Sequence, residues 1–219
     1  MGIPSRSTNT IKGDLDARDE QMKSRTSAGY ENTASQLTEN VEAVLNMDEP
    51  FLHPIDEPSD PAVEQAYQNM KQYFGKVMMP ARVFNSRMPI EFLQFYTQIS
   101  MLDQKLELEK EMVMLIRQQV ARINVCLFCI DSNRAATIWA SMNQAKFDAL
   151  DRYQTNPLFS EAERAALDFV TTLTKEKKVD PKTFAKLLEH YSEHQICEIV
   201  YLVASEHTFN MTNIGLHSF

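Results

Sequence analysis

EMVMLIRQQVARINVCLFCIDSNR, residues 111–134, joins a helical hydrophobic period to a close pair of cysteines. Over 105–123, Leu106, Met112, Leu115, Ile116, Val120 and Ile123 fall on one broad face and charged residues on the other, which predicts an amphipathic helix. Next comes Cys126-Leu127-Phe128-Cys129. Asn124 reads as the N-cap of a further helix, with Val125 its first residue and Cys126 in its first turn. There the unpaired N–H groups and the positive end of the helix dipole lower a thiol's pKa. Cys129 lies one turn later on the same face, a spacing that lets the pair close a disulfide, and Asn133 continues the stripe. Three readings fit: a redox dithiol, a metal clip, or two cysteines buried as small hydrophobes. The metal reading is short of ligands, because structural zinc takes four and no second pair follows at ligand spacing. Cys197, set among Ile196, Ile199 and Val200, reads as core filler.

Outward from this stretch the helical pattern continues. Upstream, Ser59 or Asp60 can cap a helix over PAVEQAYQNMKQYF, with Pro61 at a first-turn position, and another begins near Pro89. Downstream, AATIWASM extends the cysteine helix, and Asn156-Pro157 breaks the chain. Ser160 and Glu163 form a capping box, Asp180-Pro181 opens another helix, and Ser192 caps the last one. No segment alternates with period two. The expected fold class is all-α, with seven or eight helices over residues 61–219.

Residues 1–60 read as an extension. The first thirty are polar and of mixed charge, too poor in apolar residues to offset their ordering entropy. Leu37, Val41, Val44 and Leu45 have the spacing of a short helix, and Pro50, Pro54, Pro58 and Pro61 make a linker or an extended strap.

A net charge of −8 in 219 residues argues against bulk phosphate neutralisation, hence against a general nucleic-acid binder. The apolar runs VCLFCI and IVYLVA are far shorter than the about 20 residues that cross a bilayer, so no membrane partner is expected. The N-terminus lacks the apolar core of a secretory signal, so the expected location is the cytoplasm. Three cysteines are too few for a secreted disulfide scaffold. His190 and His194 are four apart, but Ser192 reads as a helix cap between them and breaks their common face.

From about Met79 the chain resembles the carboxymuconolactone decarboxylase and alkylhydroperoxidase-D-like (AhpD-like) family. The resemblance runs through MMPARVF, MPIEFLQFYTQI, EMVMLIRQQVARINVCLFC and the segment from NPLFSEAERAALDF to NMTN, about 140 residues. It implies an all-helical bundle assembling as trimers or hexamers. It also implies a thiol-dependent peroxidase or disulfide oxidoreductase without a bound cofactor or metal. In that chemistry Cys129 attacks the peroxide or disulfide substrate, Cys126 resolves it, and an external thiol donor reopens the disulfide.

Three positions depart from the family pattern. Its histidine four residues after the second cysteine is Asn133 here, which can hydrogen-bond but cannot take up and return a proton near neutral pH. Its glutamate twelve residues before the first cysteine is Met114; Glu111 lies one turn earlier. The residue between the cysteines that can be a second histidine is Phe128. Arg134 and Asp131 flank the pair, the first favouring a thiolate and the second opposing it, or the two form an ion pair on the helix. Losing a proton relay costs about 10² to 10⁴ in rate. The expected activity is therefore weak, and the alternative is a degraded scaffold acting as an oligomeric binding or structural protein.

Overall fold

The computed structural model describes residues 49–218, so the helix expected around Leu37–Leu45 lies outside the described residues. Those residues hold eight α-helices and no β-strand, in keeping with the all-α expectation. They are α1 (Pro61–Phe74), α2 (Pro89–Asp103), α3 (Lys110–Ile123), α4 (Leu127–Trp139), α5 (Gln144–Asp148), α6 (Glu161–Glu176), α7 (Pro181–Leu188) and α8 (Glu193–Gly215). A π-helical turn, Ala81–Asn85, precedes α2. No described helix is long and apolar enough to cross a membrane.

The helix starts follow local side-chain chemistry. Asp60 accepts from the N–H groups of Ala62 and Val63, and Pro61 takes the first position of α1. Ser160 and Glu163 close a reciprocal capping box on α6, as Ser192 and Gln195 do on α8, while Asp180 caps α7. One expected start moves. The helix predicted from Lys105 begins at Lys110, because the buried carboxylate of Glu198 on α8 accepts from the backbone N–H groups of Glu107 (2.7 Å) and Leu108 (3.0 Å). Those two amides are held by a side chain from another helix, and the segment around them stays non-helical.

α3 lies at the centre, packed against α4, α6 and α8. Its Leu115, Ile116 and Val120 are fully buried with Leu167 and Val170 of α6 and Ile199 and Leu202 of α8. Each such side chain contributes about 1.5–3 kcal/mol through removal from water. The proline-rich segment is a strap laid on the helices. The Ile55 N–H donates to the Arg82 carbonyl, the Tyr67 hydroxyl to the Ile55 carbonyl, and Arg87 to the His53 carbonyl. At its start the Phe51 N–H donates to the Leu216 carbonyl, and the Phe51 ring stacks on His217, centroids 5.1 Å apart. The strap therefore pins the end of α8, the part of the helix that reaches the cysteines.

Candidate functional site

The turn between α3 and α4 sets the cysteines. Asn124, read from sequence as an N-cap, is instead the C-cap of α3. Val125 follows in the left-handed region at φ 56°. The Val125 N–H donates to the Arg122 carbonyl (3.2 Å) and the Cys126 N–H to the Ala121 carbonyl (3.0 Å), the paired bonds of a Schellman motif. Cys126 is thus the residue that caps α4, and Cys129 is its third residue. Glycine is the usual occupant of the left-handed position. A β-branched valine there costs about 1–2 kcal/mol and, two-thirds exposed, has little packing to offset it. Val125→Gly is therefore expected to stabilise the protein by about 1 kcal/mol, less the added chain entropy of glycine, measured as a rise in the thermal midpoint.

Cys126 and Cys129 form a disulfide, with Cα atoms 5.2 Å apart. Both are buried, 0% and 4% exposed, in a small apolar cluster with Ala121, Ile130 and Ile214. The Asn213 Nδ2 of α8 donates to the Cys129 Sγ at 3.4 Å, while its Oδ1 accepts from the buried Ser218 hydroxyl at 3.3 Å. The serine holds the amide with its donor toward the sulfur. In a reduced site that donor favours a thiolate on Cys129, as do the unpaired N–H groups of the first turn of α4.

Asn133, one turn beyond Cys129, enters a buried polar network. Its Nδ2 donates to Glu206 Oε1 (3.2 Å), which also accepts from Asn210 Nδ2 (2.8 Å). Arg117 Nη1 pairs with Glu206 Oε2 at 3.2 Å, and its Nη2 pairs with Asp103 at 2.7 Å. Asn124 reaches the same network through Asn210 (2.9 Å) and His207 (3.1 Å). Burial pushes the Glu206 carboxyl above its ordinary value, although Arg117, Asn210 and Asn133 pull it down. Burial likewise lowers His207.

The other sequence candidates are used elsewhere. Glu111 bonds to Lys146 at 2.6 Å, which also holds Glu163, so Glu111 does not join the cysteines. Met114 packs on the main apolar core. Arg134 pairs with Asp148 at 2.6 Å and not with Asp131, which is exposed. Cys197 is exposed, not core filler: it stands on the outer arc of α8 between buried Ile196 and Glu198. His190 and His194 are exposed, and His194 lies 3.2 Å from Glu198. Among the described residues no group of His, Cys, Asp or Glu is arranged to hold a metal ion.

Sequence reasoning missed Glu206, Asn210 and Asn213. Their spacing, i, i+4 and i+7, draws a polar stripe along a helix whose other buried residues are mostly apolar, and that stripe was the available signal.

No protein-family model matches the chain. The uncharacterized protein YdfG of Bacillus subtilis (strain 168) is 26% identical over 104 residues, covering 47% of this chain and 71% of YdfG. Among solved structures, the debrominase Bmp8 matches with a TM-score of 0.65 at 23% identity, over 76% of this chain and 89% of Bmp8. An uncharacterized peroxidase-related protein with an AhpD core, from Ralstonia eutropha JMP134, matches with a TM-score of 0.65 at 19% identity, over 78% and 91% of the two chains. Likeness at these identities establishes architecture, and the architecture of this chain is the AhpD-like, carboxymuconolactone decarboxylase-type helical fold.

Proposed function

We propose that the chain is a thiol–disulfide enzyme in which Cys126 and Cys129 alternate between dithiol and disulfide while reducing a peroxide or a disulfide substrate. The observation that carries this reading is the Cys126–Cys129 disulfide at the start of α4 with the Asn213 donor on the Cys129 sulfur. Cys129 is the attacking thiol, because it is the sulfur that receives the Asn213 donor. Cys126, the capping residue one turn away, closes the disulfide. An external thiol donor reopens it by exchange. The same fold is present in a debrominase and in peroxidase-related proteins, so the chemistry is argued from the cysteine pair rather than from the architecture.

Thiol counting on the native protein tests the reading. After reduction with dithiothreitol and its removal, two thiols besides Cys197 are expected to react, and both are expected to disappear on adding one equivalent of cumene hydroperoxide. Two cysteines that stay unreactive and never link would favour the scaffold reading.

A further inference from the structure

Glu206 is a buried titratable group that the thiol chemistry above does not use. It is 2% exposed, at the centre of the polar network, and its carboxyl accepts from Arg117, Asn210 and Asn133. Arg117 is held from its other side by Asp103, itself bonded to the Tyr201 hydroxyl at 3.1 Å. Asn210 is held by Asn124. Asn133 is four residues along α4 from Cys129, a spacing at which helical side chains are neighbours. On α8, Asn210 and Asn213 are likewise neighbours, and Asn213 is the residue on the Cys129 sulfur. Two lines of helical neighbours therefore run from the carboxyl toward the thiol, Asn133 on α4 and Asn210 with Asn213 on α8, and all three are amides that cannot store a proton.

Resting on the functional reading above, we propose that Glu206 is the proton-holding group of the Cys126/Cys129 site, a positioning residue acting through Asn133 and Asn210.

The electrostatics explain why a carboxyl suits the place. The charged and titratable groups facing Glu206 are Arg117 from α3 and Tyr96 from α2, with Asp103 behind Arg117; Asn133 from α4 and Asn210 from its own helix are neutral. A thiolate on Cys129 beside an ionised Glu206 would put two anions in one buried site. Moving the proton from the Cys129 thiol to the Glu206 carboxylate leaves the site's total charge unchanged, with Arg117 as counter-ion throughout.

The steps then balance for either substrate class. The Cys129 thiolate attacks the distal oxygen of a hydroperoxide or one sulfur of a disulfide. The O–O or S–S bond breaks, and the leaving alkoxide or thiolate takes the proton back from Glu206. The Cys126 thiol then displaces hydroxide from the Cys129 sulfenic acid, or the second thiolate from the mixed disulfide, and its own proton leaves with that group. The two thiols supply two electrons and two protons, and the products are a disulfide with alcohol and water, or with two thiols. A carboxyl raised by burial exchanges its proton nearer neutrality than an exposed one.

The test uses the full chain, cumene hydroperoxide as substrate and dithiothreitol as donor. In the wild type, kcat is expected to rise as pH passes through the Glu206 titration and then to level. Glu206→Gln is expected to lower kcat about 10²-fold with little change in KM, and its rate should climb only in the alkaline range where a thiol ionises unaided. Adding Asn133→His to Glu206→Gln is expected to restore part of kcat and a near-neutral limb. A Glu206→Gln protein with the wild-type pH profile overturns the assignment, whether kcat is unchanged or scaled uniformly. Should Glu206→Gln not fold, infrared difference spectra of the wild type, reduced minus oxidised, replace it. A change in the protonated-carboxyl band supports the assignment, and no change overturns it. A wild-type pair that never cycles would overturn the functional reading itself, an outcome that thiol counting separates from a cycling pair indifferent to Glu206.

Discussion

Cys129→Ser is expected to reduce turnover with cumene hydroperoxide and dithiothreitol to the background rate, whereas Cys126→Ser, once the donor has been removed, is expected to allow a single oxidation of Cys129 and then stall. The difference follows from the turn that joins α3 to α4. Cys129, third in its helix, is the sulfur that Asn213 contacts; serine there retains the hydrogen bond but not the nucleophile. Cys126 serves to close the disulfide, so without it the oxidised Cys129 persists as a sulfenic acid that a trapping dimedone would capture. Mass spectrometry after one equivalent of peroxide reads both outcomes: no adduct for Cys129→Ser, one adduct for Cys126→Ser. Reversed results would assign the attack to Cys126. Both substitutions remove the disulfide and bury a hydroxyl, so the thermal midpoint of each is compared with that of the reduced wild type.

The sequence places Cys126 in the first turn of the helix after an Asn124 cap, whereas in the structure Cys126 is itself the capping residue. Taking Asn124 as an N-cap assumed that the new helix starts two residues earlier than it does. The reversal depends on Val125 in a conformation that β-branched residues rarely adopt, and local preference gives no reason to expect it. Where one residue and its neighbours suffice, the sequence was readable. Ser160, Asp180 and Ser192 each act over two or three positions and cap the helices they are expected to cap, and of the two candidates Ser59 and Asp60 it is Asp60 that caps α1. The start of α3 was not, since the carboxylate that withholds Glu107 and Leu108 from the helix comes from Glu198, about 90 residues away. The proton-bearing side of the site was hidden for the same reason. Position 133 was identified as lacking the family histidine, but the carboxyl beside it arrives from 73 residues downstream. Cys197 shows the converse error. Its apolar neighbours in sequence surround a position that the helical turn directs to solvent.

Arg117→Met is expected to destabilise the protein at neutral pH by about 3–5 kcal/mol, the usual consequence of removing one member of a buried ion pair. The guanidinium is 7% exposed and serves two carboxylates, Glu206 at 3% and Asp103 at 28% exposure. Methionine replaces most of its aliphatic volume, so the loss falls mainly on charge. Asp103 retains the Tyr201 hydroxyl and some water, whereas Glu206 keeps only the amides of Asn133 and Asn210. The Glu206 carboxyl already stands above its ordinary value of 4.5 through burial, and Arg117 is the main group pulling it down. Removing the arginine raises it further. A group whose folded pKa lies above its unfolded one contributes stability that is complete below the unfolded value and is lost as pH rises through the folded value. The deficit of Arg117→Met should therefore be greatest near neutrality and shrink as pH falls toward the ordinary carboxylate range. Urea unfolding at neutral pH and near pH 5 reads it directly. Adding Glu206→Gln should recover part of the loss at neutral pH and little at the acid end. A deficit independent of pH would instead assign the role of Arg117 to its contact with the Phe209 ring, 5.9 Å from the guanidinium carbon, and Glu206 would then be neutral in the folded protein throughout that range.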